Sequence, residues 1–251
     1  MKVIKLNNFN INIALKVFTL LGFSFFFINS ICTGSVNRYV HPRIIPYMLF
    51  AAGAMLVIAF LLFGELFKPQ KGKSNSLALL FYIVPLIMAV ALPAQSFDSN
   101  TRTVGDVQIS GVEENSNKSD ETENNLLSLQ NGILVMDSSN FYNCLNEVYS
   151  NLDKYVGTQI EVVGFVFNDN ENFKDNEFVP ARLMMVCCAA DMQPVGFLCR
   201  YEQASKLKSD SWVKVTGVIG KTEFEGEGVP SIEAKSVVET EKPNDDYIYP
   251  Y

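Results

Sequence analysis

Three long apolar runs occupy the first part of the chain, over about residues 13–31, 44–63 and 77–92. A helix rises about 1.5 Å per residue, so the uncharged second run can cross a hydrocarbon core roughly 30 Å thick. The third run is the shortest and contains Pro85, and a re-entrant segment is its alternative. The pattern predicts an α-helical membrane part with three spans over residues 1–97.

The first apolar run has a second interpretation, a cleaved signal peptide. Its end, residues 27–31, lacks the small residues that a cleavage site requires. A lipoprotein signal would also need a small residue before Cys32, where Ile31 stands. The residues therefore favour a retained helix.

Lysines, which are enriched in short cytoplasmic segments of membrane proteins, occur before the first run and after the second: Lys2, Lys5, Lys68, Lys71 and Lys73. The connection between these runs carries only Arg38 and Arg43. The positive-inside rule then places the N-terminus in the cytoplasm. Three crossings place the rest of the chain on the extracytoplasmic side of the membrane, whereas two crossings place it in the cytoplasm.

Polar residues fill positions 98–132, which predicts a flexible linker because so few apolar side chains can be buried. A soluble domain over residues 133–251 follows. It begins with apolar positions at helical spacing over 141–152, after an N-cap region at 137–139.

Short apolar or alternating stretches then recur along the soluble domain: 159–167, 181–189, 194–201, 212–219 and 231–238. Five short strands with turn residues between them are typical of a small barrel. The order of the strands resembles an OB-fold. The sequence thus predicts a mostly-β, OB-like barrel domain with a leading helix.

The soluble domain is strongly acidic. The chain carries a formal charge of −7, and the residues from 133 onward have 10 basic against 19 acidic side chains, or −9. Such a domain repels phosphate backbones, so no nucleic-acid partner is expected. The only histidine is His41, which leaves the domain without a histidine base. The prediction is therefore a protein that is not an enzyme.

Several stretches of the chain resemble the YcgQ-like (DUF1980, UPF0703) family of bacterial membrane proteins: residues 39–43, 92–93, 97–99, 178–182, 187–196 and 242–243. The most specific stretch is Cys-Cys-Ala-Ala-Asp at 187–191. The resemblance covers nearly the whole chain and implies pairing with a separate multi-span predicted permease. It therefore implies an accessory subunit of a membrane transport system, whose acidic outer domain binds a solute or the partner.

Cys187 and Cys188 are the main candidate for chemistry. On a strand, adjacent side chains point to opposite faces, so one thiol should be inside the barrel and one outside. Cysteines of this kind are most often small buried side chains. The alternatives are a soft-metal or thiol-exchange site that includes Asp191 and Cys199, or a disulfide with Cys199. No C-x-x-C pair occurs, and no cofactor is specified.

Three further side chains, Arg182, His41 and Arg43, are candidates. Arg182 lies in an apolar run, where its charge needs a partner, and pairing with Asp191 or a glutamate is expected ahead of a ligand contact. His41 and Arg43 lie at the mouth of the second span. They are either interface anchors or contacts with a partner protein or a lipid phosphate.

Overall fold

A computed structural model describes residues 10–67, 77–91, 129–130, 132–168, 173–224, 226–245 and 247–250. The chain divides into two compact units, residues 1–96 and 97–251. The linker predicted at 98–132 lies outside the described residues except for 129–130 and 132. The lysines used to assign orientation, at positions 2, 5, 68, 71 and 73, lie outside them as well.

The first unit is built from helices α1 (Ile11–Cys32), α2 (Ile45–Phe63) and α3 (Leu77–Ala91). Asn10 caps α1, since its side-chain oxygen accepts a hydrogen bond from the Ile13 N–H at 3.3 Å. The Asn10 N–H also donates to the Leu66 carbonyl at 3.0 Å. The start of α1 therefore lies beside the segment that follows α2, and the two helices form an antiparallel pair.

Small residues line the contact between α1 and α2. Ser24, Ala52 and Ala59 are buried, and the Ser24 hydroxyl donates to the Ala52 carbonyl at 3.1 Å. Small side chains let two helix backbones approach closely. Helices pack in this way within a lipid bilayer, where the hydrophobic effect does not drive them together. The contact is thus of the kind found between helices in a membrane.

The outward faces of these helices are apolar. Phe50 is 80% exposed and Phe60 is 79% exposed. Two segments, Ile11–Cys32 and Pro42–Phe63, have the length and composition to cross a membrane, and little of either is buried. The first unit is therefore membrane-associated. Helix α3 has 15 residues, or about 22 Å of helix, which is less than a full hydrocarbon core. The described residues thus show two spanning-length helices, and the predicted third span is not among them.

The second unit contains nine strands within the described residues: β1 (Leu129–Gln130), β2 (Ile133–Met136), β3 (Gln159–Phe167), β4 (Glu177–Met184), β5 (Gln193–Val195), β6 (Leu198–Arg200), β7 (Trp212–Phe224), β8 (Glu227–Glu239) and β9 (Tyr247–Ile248). Two short helices, α4 (Phe141–Ser150) and α5 (Leu152–Tyr155), lie between β2 and β3.

Five of these strands close a barrel. Strand β3 pairs with β4 and β7, β4 pairs with β6, β6 pairs with β8, and β8 pairs back to β7. Only the β6–β8 pair of this ring is parallel. The other strands extend it: β2 pairs with the first half of β3, and β5 and β9 pair with the end of β4.

Gly164 marks the place where β4 replaces β2 as the neighbour of β3. A Cβ atom at Gly164 would lie 2.5 Å from the Pro180 carbonyl carbon and 2.6 Å from its oxygen. These are backbone atoms, which cannot move aside as a flexible side chain can. The barrel therefore closes over a position that only glycine fits.

Two apolar cores pack against this barrel, one in its interior and one on its outer side. The larger core packs the barrel interior against α4 through Phe141, Leu145 and Val148. The second lies around the outer side of β4 and includes Leu183, Met185, Met192, Leu198 and Tyr247. Every residue of β4 is buried as a result. The end of β4, where the candidate site begins, is therefore held on both sides.

The structure corrects three details of the predicted strands. The stretch 194–201 forms two strands, β5 and β6, which are separated at Gly196 and Phe197. The stretch 181–189 is a strand only as far as Met184. Strands β7 and β8 reach 13 residues each, because their polar ends continue to pair with each other beyond the apolar part.

Candidate functional site

The Cys187–Cys188 pair lies at the tip of the hairpin formed by β4 and β5. Strand β5 returns antiparallel to β4, with Met184 opposite Gln193 and Arg182 opposite Val195. The loop begins at Met185, whose N–H donates to the Ile248 carbonyl of β9 at 3.0 Å. The tip is therefore anchored by three strands and by the outer apolar core.

Asp191 organises this loop. One carboxylate oxygen accepts from the Val186 N–H at 2.9 Å, and the other accepts from Cys187 at 2.7 Å and Cys188 at 3.1 Å. Residues 189–191 form one turn of 3₁₀ helix with Cys188 as its N-cap, and Cys188 and Asp191 make a reciprocal capping box. The carboxylate thus holds three consecutive backbone N–H groups in one geometry.

This loop geometry brings the two sulfurs and the carboxylate together. The Sγ atoms of Cys187 and Cys188 are 3.7 Å apart. Both lie within 4.8 Å of a carboxylate oxygen of Asp191 and of each other. Cys187 is exposed, whereas Cys188 and Asp191 are half-buried. The three side chains form an accessible cluster of two soft ligands and one hard ligand.

Hydrogen bonds within the cluster set its protonation. Interactions with the Asp191 carboxylate, and next with the Cys188 thiol, raise the pKa of Cys187 to about 12. Burial alone would raise the pKa of Asp191, but hydrogen bonds from the Cys187 thiol and the three backbone N–H groups outweigh it, so this pKa is lowered. Cys187 is thus a protonated thiol at neutral pH, and a thiol is a poor nucleophile compared with a thiolate.

The expectation that one of these cysteines fills the barrel interior is wrong. The chain leaves β4 at Met184, and the Asp191 carboxylate holds the next residues in a turn where the alternation of a strand no longer applies. Cys199 is not part of the cluster either. It is buried on β6 with Phe178 and Ile232 as its neighbours on the adjacent strands, and burial raises its pKa. The five cysteines are free, so a disulfide with Cys199, one of the alternatives considered from the sequence, is not formed.

Arg182 lies two residues before the end of β4 and is 1% exposed. Its guanidinium donates to the Ser138 hydroxyl at 3.1 Å and to the Asp245 carbonyl at 2.7 Å, and it lies 5.2 Å from the centre of the Trp212 ring. These contacts join the segment before α4, the C-terminal tail and β7. The buried guanidinium therefore has a structural role, because it holds these three segments of the barrel unit together.

His41 and Arg43 belong to the turn that precedes α2. His41 caps the 3₁₀ turn Pro42–Ile44, because its Nδ1 accepts from the Arg43 N–H at 2.9 Å. His41 is buried within its unit. This capping gives His41 a local role, and contact of either residue with a partner or a lipid stays a prediction.

The residues that complete these arrangements were not predicted from the sequence. Ser138, Trp212 and Asp245 contact Arg182 from positions distant in the chain, and no local signal identifies them. The loop had a usable signal. An acidic residue three positions after Cys188 is the spacing of a capping box, which predicts a turn where the apolar run suggests a strand.

Comparison with known proteins agrees with the architecture. The model described as the DUF1980 N-terminal domain matches residues 15–105, and the DUF1980 C-terminal domain matches residues 111–250. The chain is 20% identical to the UPF0703 protein YcgQ of Bacillus subtilis, over 93% of this chain and 98% of that protein.

A second relative covers part of the chain. It is a Streptococcus mutans protein named "Putative two-component membrane permease complex subunit", 27% identical over 120 residues, which are 47% of this chain and 43% of that protein. The family matches extend over both units and so connect the apolar helices with the barrel. The chain therefore belongs to the DUF1980 family.

Proposed function

We propose that this protein is an accessory subunit of a membrane transport system and that it partners a separate multi-span permease. The observation that carries the proposal is the near absence of charge from α1, α2 and α3, in which Lys16 is the single charged residue. Transport pathways in membranes are built from polar and ionisable side chains inside the bundle. These helices suit an anchor better than a pathway, and the relative named as a permease complex subunit supports the same role.

The proposal places the N-terminus in the cytoplasm and the barrel unit outside the cell membrane. Its support is the distribution of lysines in the sequence together with α3, which is apolar throughout. A 15-residue helix can still cross if flanking residues continue it or if the bilayer thins locally. The protein is then a multi-pass membrane protein whose acidic unit meets the external solution.

The barrel is proposed to be a variant of the OB-fold. An OB-fold is a five-stranded Greek-key barrel that binds its ligands on one face and in the loops at its rim. The ring β3–β4–β6–β8–β7, closed through a parallel β6–β8 pair, supports this assignment. The hairpin tip at 185–192 is a loop that emerges from this barrel and is a suitable place to bind a solute or the partner.

The role proposed for the Cys187–Cys188 loop is binding and not catalysis. The sequence supports this choice, because residues 133–251 contain no histidine that could act as the base for a cysteine nucleophile. An extracytoplasmic protein that binds a soft metal through these thiols is the alternative to a subunit that acts through protein contacts alone. The exposed sulfur pair is the observation that favours keeping this alternative.

Co-purification tests the permease partnership. The full-length chain, tagged and expressed in its native bacterium, is extracted in a mild detergent and isolated together with whatever is bound to it. We expect one multi-span membrane protein at about the same molar amount as the chain. An unrelated three-span protein with the same tag is the control and should not recover that partner. Recovery of the chain alone, both in several detergents and after chemical cross-linking in intact cells, would contradict the proposal.

A further inference from the structure

The hairpin tip at residues 185–192 holds a ligand set that is already arranged for a metal ion. Tetrahedral Zn²⁺ binds cysteine sulfur at about 2.3 Å, which places two sulfur ligands about 3.8 Å apart. A linear site with the same bond length would separate them by about 4.6 Å. The Sγ atoms of Cys187 and Cys188 are 3.7 Å apart, which fits the tetrahedral arrangement.

We propose that Cys187, Cys188 and Asp191 bind a thiophilic divalent cation of the Zn²⁺ type. The three ligand atoms lie within 4.8 Å of one another, so one ion can reach all three with small side-chain rotations. Two thiolates and a carboxylate supply three negative charges to a doubly charged ion. The barrel unit carries a formal charge of −9 from residue 133 onward, which attracts cations to its surface.

Backbone contacts orient the ligands in advance. The Asp191 carboxylate accepts from the N–H groups of Val186, Cys187 and Cys188, which occupy three of the roughly four lone-pair positions of a carboxylate. The Cys187 sulfur lies within 4.8 Å of this carboxylate. Such outer contacts fix ligand orientation in metal sites. The metal would take the place of the thiol proton between sulfur and carboxylate.

The binding step is balanced without any redox change. The ion replaces the protons of the Cys187 and Cys188 thiols, two protons pass to solvent, and the carboxylate of Asp191 is already ionised. No electron is transferred and no further reactant is required. Both sulfurs therefore remain at the thiol oxidation level throughout.

Three protein ligands leave one position of a tetrahedral ion open. Structural zinc sites are closed by four protein ligands, whereas sites that exchange or react keep an open position. Cys187 is exposed, so a fourth ligand from solvent or from a partner can reach the ion. The site would then capture a metal ion and pass it to the permease. That role rests on the proposed function, whereas binding of the ion rests on the loop geometry alone.

Cobalt and zinc titrations of the reduced, chelator-stripped full-length protein in detergent test the site. Co²⁺ is expected to produce a sulfur-to-cobalt charge-transfer band and the visible bands of a tetrahedral ion, saturating at one ion per chain, and Zn²⁺ should remove them. The Cys187→Ser and Cys188→Ser variants should each lose the charge-transfer intensity of one sulfur and bind Zn²⁺ at least about 100-fold more weakly. Asp191→Asn should weaken Zn²⁺ binding about 10–100-fold.

Two other cysteines provide the matched controls. Cys32→Ser removes an exposed thiol of the helical unit, and Cys199→Ala removes the buried thiol of β6, and both should keep the affinity for Zn²⁺ unchanged. Cys187 is exposed, so its replacement by serine should not disturb folding, which Trp212 fluorescence verifies. Absence of a stoichiometric cobalt band would overturn the inference. So would a charge-transfer band of undiminished intensity in Cys188→Ser, or one that is lost in Cys32→Ser.

The outcome is separate from that of the permease test. If the unchanged protein binds no metal but still co-purifies with a multi-span partner, this inference fails and the proposed function stands. Metal binding in a protein that recovers no partner would retain the site and remove its role in transport.

Discussion

Replacing Arg182 by methionine is expected to lower the free energy of unfolding of the barrel unit by about 3 kcal/mol. Methionine keeps most of the buried volume but leaves the Ser138 hydroxyl and the Asp245 carbonyl without their donor. Hydrogen bonds to a charged group are each worth about 1.5–3 kcal/mol. The stacking on Trp212 is lost as well. Removing a buried charge returns part of its desolvation cost, so the net effect is smaller than the sum.

Trp212 gives the measurement, because it is the only tryptophan in the chain. Urea unfolding of the full-length protein in detergent, followed by Trp212 fluorescence, reports on the barrel unit. Lys214→Met is the matched control, since Lys214 also lies on the barrel, but its side chain is partly exposed and pairs with Glu161. Exposed pairs contribute at most about 1 kcal/mol. Equal shifts in the two variants would show that Arg182 does not hold the unit together.

Replacing Gly164 by alanine is expected to destabilise the barrel by at least about 3 kcal/mol, enough to abolish its cooperative transition if the unit is marginally stable. The added Cβ would lie 2.5 Å from the Pro180 carbonyl carbon, 2.6 Å from the Pro180 oxygen and 2.7 Å from the Ala181 oxygen. All three are backbone atoms of β4, so the strand itself must move. Such a shift opens the ring where β3 passes from β2 to β4.

Gly228→Ala supplies the comparison. A Cβ at Gly228 meets the Lys221 Cε at 3.2 Å, which is the far end of a flexible side chain and can rotate away. The free energy of unfolding of this variant should lie within about 1 kcal/mol of that of the unchanged protein. The same urea transition measures both variants. A Gly164→Ala protein as stable as Gly228→Ala would mean that β3 and β4 do not approach each other as closely as described.

The hydrophobic pattern predicts the elements of this protein better than it predicts their ends. The runs at 13–31 and 44–63 correspond to α1 and α2, because a membrane requires long apolar helices and little else interrupts them. The third run corresponds to α3, but whether it crosses depends on its surroundings and not on its composition alone. The apolar pattern therefore indicates the helices, whereas the side of the membrane on which the barrel unit lies was inferred only from the distribution of lysines.

The barrel was predictable where one face of a strand is buried. The alternating stretches at 159–167 and 212–219 correspond to β3 and the first part of β7. The strand pairings depend on residues far apart in the chain, and the short strands β1, β2 and β9 have too few residues to show a pattern. The 13-residue hairpin of β7 and β8 was underestimated because its distal half is exposed and polar.

The candidate site was predictable as a set of residues but not as a shape. The Cys-Cys-Ala-Ala-Asp stretch identified Cys187, Cys188 and Asp191, and the structure brings these three together. An apolar run before them suggested a continuing strand, whereas the capping by Asp191 turns the chain. Cys199 appeared near in sequence but lies in the barrel core, because β6 pairs with β4 and β8 away from the hairpin tip.

The most direct test of the proposed arrangement is the side of the membrane on which the barrel unit lies. Cys32, Cys187 and Cys188 are replaced by serine, and the exposed Val238 on β8 is replaced by cysteine. The remaining native cysteines, Cys144 and Cys199, are buried and should not react in the folded protein. Intact cells are then treated with a membrane-impermeant maleimide, and labelling of the chain is compared before and after the membranes are opened.

The chain with Val238→Cys should be labelled in intact cells to nearly the extent seen after lysis. The same background with Lys71→Cys in place of Val238→Cys should be labelled only after lysis, because the lysine-rich connection is proposed to be cytoplasmic. Labelling of Val238→Cys only in opened membranes would contradict the account. It would place the barrel unit in the cytoplasm and show that α3 does not cross.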